Sequence, residues 1–256
     1  MKSAQPKYQL AASFKVTVWF GPFGMLLGTG FIWAGTADFK TSDMPWIIGL
    51  WYTLFISLAT PVLYFSFRKT SPLWVNGVMG FISGLVPIAC VWGMATHFFY
   101  FAYAPMPRWA SWIGLYGGAA VMLHWGYKVW IDVMDALHTK GLYAQAYVEQ
   151  EKAFYFSWNF GPLLDNVQKY RDPFKSYHIW LAIAIAPFTV VLNRILSPIT
   201  GSGHGVFLIM SFLGLPLTLF VIGIAIRTYI LMIYYPIKIQ LKTRKPVLMR
   251  DFYEVK

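Results

Sequence analysis

Charge is scarce in this chain. Only 12% of its 256 residues are Asp, Glu, Lys or Arg, about half the share a soluble domain carries. Too few ionic groups remain to coat a water-exposed surface, which excludes the soluble globular class. Cysteine is scarcer still. Cys90 is the only one, so an intrachain disulfide and Cys-rich metal sites are excluded. Acids are missing from the long apolar runs. All ten, from Asp38 to Glu254, fall outside them or at their edges. Ion-coupled transporters and pumps keep ionisable groups within the membrane. A proton relay or Na⁺ site is therefore hard to build here, though uniport through polar backbone stays open.

Catalytic signatures are lacking too. There is no P-loop and no dinucleotide fingerprint. There is no Asp cluster of the kind a metal-dependent phosphatidyltransferase needs, and no C-x-x-C-H. Intramembrane proteolysis needs a serine set against a histidine. The segment Gly80-Phe81-Ile82-Ser83-Gly84 is one residue longer than the Gly-x-Ser-Gly of rhomboid proteases, and the sixth apolar run offers only His204, at its outer start. No catalytic residue and no metal site is expected. The first fifteen residues are polar and lack the apolar core and cleavage site of a signal peptide. The first apolar run is expected to remain as an anchor.

What is abundant is apolar. Hydrophobic residues make up 57% of the chain and aromatics 19%. Mean hydropathy is +0.52. The apolar residues come in runs of roughly 20, which as helices span a bilayer core of about 30 Å. Lipid-exposed backbone must satisfy its own hydrogen bonds, so the runs are read as helices. They fall at about 16–36, 46–67, 73–101, 109–130, 178–197 and 205–235. The fold class expected is an all-α polytopic membrane bundle of about six transmembrane helices. It divides into helices 1–4 over 1–130, an amphipathic cytoplasmic loop over 131–177, helices 5–6 over 178–235, and a basic cytoplasmic tail over 236–256. The third and sixth runs exceed a simple span and are expected to tilt or continue along the interface.

The net charge of +11 sorts to one side. Placing the N-terminus inside puts Lys15, Arg68, Lys69, most of the 131–177 lysines and the tail from Lys238 to Lys256 in the cytoplasm, and leaves only Lys40 and Arg108 outside. The positive-inside rule then predicts both termini in the cytoplasm of a bacterial inner membrane. The tail serves topology and anionic headgroups; it is too short for a nucleic-acid module. Trp46, Trp74, Trp109, Trp130, Trp180, Tyr234 and Tyr235 fall near helix ends, where interfacial anchoring explains them. No internal repeat supports an inverted-repeat transporter.

Between the spans, Tyr143, Tyr147, Phe154 and Trp158 recur at helical spacing with Glu149, Glu151 and Lys152 among them. That predicts an amphipathic helix, returning to its own bundle or docking a cytoplasmic partner. Arg194 and Arg227 sit near span ends. Snorkelling accounts for both; otherwise they meet a lipid headgroup or an acid of another subunit, since no acid lies in this chain's own spans. Gly24/Gly28, Gly80/Gly84 and Gly114/Gly118 are each a G-x-x-x-G, which lets helix backbones approach, within the chain or between subunits. Pro22, Pro61, Pro87, Pro187 and Pro216 lie inside spans and tend to kink them.

The histidines divide by depth. His97 and His204 are expected near the outer face, and His124, His138 and His178 near the inner one. Neutral imidazoles on facing helices can ligate haem iron. His97 with His204, or His124 with His178, has the depth for it. Interfacial histidines bonded to lipid or backbone are the expected case, so no cofactor is predicted and haem b is the alternative. These readings converge on a non-catalytic multi-pass subunit of a larger membrane assembly, such as an envelope-spanning secretion or conjugation apparatus. A transporter or lipid-handling protein is the first alternative, and a haem-b electron-transfer subunit the second.

Overall fold

The computed structural model describes residues 7–139, 141–157, 160–170, 173, 191, 194, 195 and 204–249. Among the described residues, three helical stretches are long and apolar enough to cross a membrane: Leu10–Phe39, Met44–Phe67 and Gly214–Thr243. A bent pair, Leu73–Ala89 with Met94–Tyr103, would make a fourth. The helical class is as expected. The expected span at 178–197, with His178, Trp180 and Pro187, lies outside the described residues apart from Val191, Arg194 and Ile195.

α1 (Lys7–Phe39) and α2 (Met44–Phe67) form a hairpin. Lys40 turns the chain in the left-handed region, with φ of 50°, and the Trp46 indole N–H donates to Asp43 Oδ1 at 2.8 Å. The two helices close up where Gly49 meets Thr29. Large apolar side chains such as Trp19, Phe23, Trp51 and Leu58 face outward, as a lipid solvent allows and water would not.

The third apolar run is not one helix. It divides into α3 (Leu73–Gly80), a π-helical turn (Phe81–Leu85), α4 (Val86–Trp92) and α5 (Met94–Tyr103). Two causes explain this, one local and one distant. Pro87 has no N–H to give to the ladder, and the wider turn just before it absorbs the lost bond. A second π turn, Tyr229–Tyr234, stands in the same relation to Pro236. The bend of 46° falls at Gly93. A side chain there would collide with Thr218 and sit 2.8 Å from the Gly214 carbonyl. Pro22, Pro61 and Pro216, by contrast, lie inside the unbroken helices α1, α2 and α9 (His204–Thr228).

α6 (Arg108–His138) has 31 residues, about 46 Å at the helical rise, and outruns the expected 109–130. The extension carries Asp132 and Asp135 on the helix itself, and Asp132 is buried. α9 packs against α5 and α6, and α1 against α2 and α4.

A cap closes one end of the bundle. The amphipathic helix expected from Tyr143 onward is overturned. α7 (Tyr143–Ala146) lasts four residues and gives way to β1 (Tyr147–Glu149) and β2 (Phe154–Phe156). β1 pairs antiparallel with β2, Tyr147 opposite Phe156. β2 pairs in parallel with β3 (Val247–Met249), Phe154 opposite Val247. Aromatic and β-branched residues favour such pairing once a partner strand exists. Here the partner comes from the expected tail, which continues α9 through the second π turn into α10 (Tyr235–Thr243) before β3. Trp158 and residues 250–256 lie outside the described residues. The cap rests on a core in which Val133 and Leu137 of α6, Ile230, Tyr147, Phe156 and Val247 are buried together, with Leu164 of α8 (Phe160–Val167).

The Tyr147 hydroxyl donates to the Leu231 carbonyl at 2.6 Å, tying the sheet to the second π turn. Tyr147→Phe leaves that buried carbonyl short of a donor. It is expected to destabilise the fold by about 1–3 kcal/mol, read as a lower unfolding temperature in detergent.

Candidate functional site

Two sets of features could carry function: a polar constellation inside the bundle and grooves along α6.

In the first, one imidazole links three helices. His97 of α5 lies 3.0 Å through Nε2 from the Gly114 carbonyl of α6 and 2.7 Å through Nδ1 from Ser211 Oγ of α9. A carbonyl can only accept, so Nε2 carries the proton, Nδ1 is the acceptor, and the Ser211 hydroxyl donates. His97 is 4% exposed and Ser211 fully buried. The Gly114/Gly118 pair makes the room. A Cβ on Gly114 would run into the Phe101 ring, and one on Gly118 into the His97 ring. This G-x-x-x-G is a socket for two rings of the same chain. Nearby, the Tyr100 hydroxyl and His204 Nδ1 lie 3.3 Å apart.

A serine against a histidine is what hydrolysis would need, and sequence reasoning had looked for it elsewhere. The geometry here is a tie rather than an active site. Ser211 Oγ is fully buried and its hydroxyl is spent on His97 Nδ1. Of the histidines, both His97 nitrogens are engaged, His204 Nε2 is buried without a described partner, His124 is exposed, His138 Nε2 meets the Tyr235 hydroxyl, and His178 lies outside the described residues. Among the described residues no group of three or more His, Cys, Asp or Glu could hold a metal ion.

A second buried tie joins α2 to the first π turn. Thr60 Oγ1 and Ser83 Oγ lie 2.6 Å apart, and the Tyr52 hydroxyl donates to the Ile82 carbonyl at 3.0 Å. Gly21 of α1 fits against this turn, where a Cβ would come within 2.7 Å of the Ser83 carbonyl.

The structure distributes the remaining expected residues unevenly. Gly24 approaches Pro87, whose Cβ lies 3.2 Å from where a Gly24 Cβ would stand, and Gly28 is buried. A Cβ on Gly80 or Gly84 would meet no other part of the described residues within 4 Å. Arg227 is a correction. Snorkelling was the expectation, with a lipid headgroup or an acid of another subunit as the alternative, but Arg227 donates to Asp165 Oδ1 of α8 at 2.7 Å. The partner comes from the loop, not from a span, which is why inspection of the spans alone missed it. Arg194 is helical and exposed. Tyr143 and Tyr147 pack with Tyr235 in the cap. Burial raises the Tyr143 hydroxyl and raises that of Tyr147 well above its usual range, with Tyr143 and Tyr235 adding to the latter. Both stay protonated, as the Tyr147 bond to Leu231 requires. Phe154 packs against the cap core, with Lys245 Nζ 6.0 Å above its ring.

The grooves flank α6 on different faces. A cavity of about 380 Å³ borders His97, Ile113, Gly117, Val121, Leu208 and Leu215. A larger one of about 550 Å³ lies on another flank, nearer the cap, between Met94, Met122, Gly126, Trp130, Ile222 and Ile226. A third, of about 300 Å³, lies beside the cap end of α6 and brings Lys128, Asp132, Asp135 and Lys169 together with Tyr127, Ile131 and Tyr170. Asp132 Oδ2 accepts the Tyr170 backbone N–H at 2.8 Å, and Lys128 Nζ sits 5.0 Å above the Tyr170 ring.

Ser211→Ala leaves His97 Nδ1 buried without a donor and is expected to lower stability by about 1–3 kcal/mol, measured by thermal unfolding in detergent. A fluorophosphonate probe is expected to leave Ser211 of the native protein unlabelled. Comparison with protein-family models, with curated proteins and with solved structures finds no match, so the functional reading rests on the chain's own geometry.

Proposed function

We propose that this chain is a non-catalytic, six-span subunit of a larger assembly in a bacterial inner membrane, with both termini in the cytoplasm. The observation that carries the reading is the contrast among the three small-residue pairs. Gly24 faces Pro87, and Gly114 and Gly118 receive rings of α5, but a Cβ on Gly80 or Gly84 would meet no other part of the described residues within 4 Å. Small residues one turn apart let a neighbouring helix come close, where lipid cannot make equal dispersion contacts. That is the face we assign to another subunit. An envelope-spanning secretion or conjugation apparatus would use such a scaffold.

A parity argument supports the span count. β2 and β3 are paired, so they share one side of any membrane, and the chain between them crosses an even number of times. Gly214–Thr243 accounts for one crossing; the apolar run at 178–197 supplies the other. The Lys and Arg distribution places the cap inside. Lipid handling is the second reading, favoured by the apolar grooves that line α6.

Gly80→Ile with Gly84→Ile is expected to strip partners from the complex purified gently from native membranes, while the monomer stays folded. Native mass spectrometry reads the result; partners retained in full would remove this face as the contact. A cysteine at Lys40 is expected to react with an impermeant maleimide from outside the cell, and one at Lys242 only after lysis.

A further inference from the structure

We infer that the end of the bundle away from the cap carries a proton-operated clasp. Neutral His204 holds the first turn of α9 against α1 and α5, and a second proton on its ring releases that turn. The clasp is built from rings. His204 lies 5.2 Å from Phe39 of α1 and 5.8 Å from Tyr100 of α5, between ring centroids. Phe207, one turn along α9, lies 5.3 Å from Phe39. Gly35 makes the room on α1, since a Cβ there would run into the Phe207 and Phe99 rings. His204 is 5% exposed, and Phe39, Tyr100 and Phe207 are buried around it. Its Nδ1 lies 3.3 Å from the Tyr100 hydroxyl. Its Nε2 is buried with no partner among the described residues.

The box suits an imidazole and not an imidazolium. In either neutral tautomer one nitrogen pairs with Tyr100 and the other stands alone. A second proton makes both nitrogens donors, and only the Tyr100 oxygen is there to accept. His204 also opens α9, where the positive end of the helix dipole disfavours a cation. No carboxylate offsets this. On α1, Asp38 and Lys40 flank Phe39 and are exposed. On α5, Tyr100 is the contact, Tyr103 stacks on Phe99, and His97 faces Gly114 and Ser211 instead. Asp43 before α2, Arg108 at the start of α6 and Arg194 are exposed. The rest of α9 as far as Leu215, and residues 196–203, contain no ionisable residue. His204 stands ahead of the Gly214–Thr243 stretch, and burial lowers its pKa. The folded chain therefore takes this proton less readily than an unfolded one. The clasp is whole above about pH 6.5 and weakens as pH falls toward the depressed value. Ring faces return part of the cost of a buried cation, but less than burying it without an acceptor takes. The first turn yields because it sits at its helix end.

The clasp does not depend on the proposed subunit role, and its test reads the turn and the ring separately. The full chain, with Cys90→Ser, carries spin labels at Ala37→Cys on α1 and Val206→Cys on α9. Pulsed electron paramagnetic resonance in lipid nanodiscs measures their separation from about pH 8 to about pH 4.5, a range that brackets the ordinary histidine value. The distance is expected to lengthen and broaden as pH falls, with the dependence of a single proton, and to recover when pH is raised. His204→Phe keeps a ring that takes no proton, and should hold the short distance throughout. His124→Gln, on the exposed face of α6, should leave the transition in place. Nuclear magnetic resonance of histidine-labelled protein gives a reading that needs no His204 variant. The His204 ring, assigned through its contacts with Phe39, is expected to titrate below the ordinary histidine value. A distance that stays constant across the range would overturn the inference. So would a transition that survives His204→Phe and therefore belongs to His97, or a His204 ring that titrates at the ordinary value.

Discussion

An imidazole inside hydrocarbon must bring partners for two nitrogens, and His97 finds them on two different helices. Water cannot stand in for either, so α5, α6 and α9 have to hold their relative positions for the ring to be satisfied at all. Much of the local architecture serves that demand. Gly118 is bare because the ring needs the space, Gly114 because Phe101 packs beside it, and Gly93 because α9 presses on the bend that aims α5 inward. The same rule governs the ends of the bundle. Arg227 meets Asp165, Asp132 meets the Tyr170 N–H, and Tyr147 meets the Leu231 carbonyl. These groups are closed pairwise, beneath outward faces that lipid or another apolar helix can cover.

The two π turns show how the chain accommodates proline in such a setting. Pro87 and Pro236 each follow a turn of wider pitch, while Pro22, Pro61 and Pro216 sit in continuous helices. The difference follows neighbours rather than proline itself. The first π turn is gripped by Thr60, Tyr52 and the close approach of Gly21, and the second by Tyr147.

Helix existence was readable because apolar length is a local property. The second span was expected at 46–67 and runs Met44–Phe67; the sixth was expected to start at 205 and starts at His204. Breaks and extensions were less readable. Nothing near Gly93 announces a bend, since its cause is Thr218, far along the chain. α6 outran its apolar run because Asp132 and Lys128 find partners at Tyr170. The cap was misread for the same reason. Tyr143, Tyr147 and Phe154 suit a helix face as well as alternate strand positions, and the deciding strand is Val247–Met249. At the site, His97 and the Gly114/Gly118 pair stood out by residue type, but Ser211 did not. A lone serine in an apolar run has no local signature, and only the fold supplies its histidine.

The parallel pairing of β2 with β3 also orders events in time. β2 leaves the ribosome roughly ninety residues before the strand that completes its sheet. Until then its free edge and the aromatic core beneath it stand open, a surface prone to wrong contacts. The sheet can close only if the intervening helices have entered the membrane in the right sense, because an odd number of crossings would deliver β3 to the opposite side. The last strand is thus a latch that engages on correct insertion. A chain that fails keeps an exposed strand edge, which chaperones and proteases can recognise.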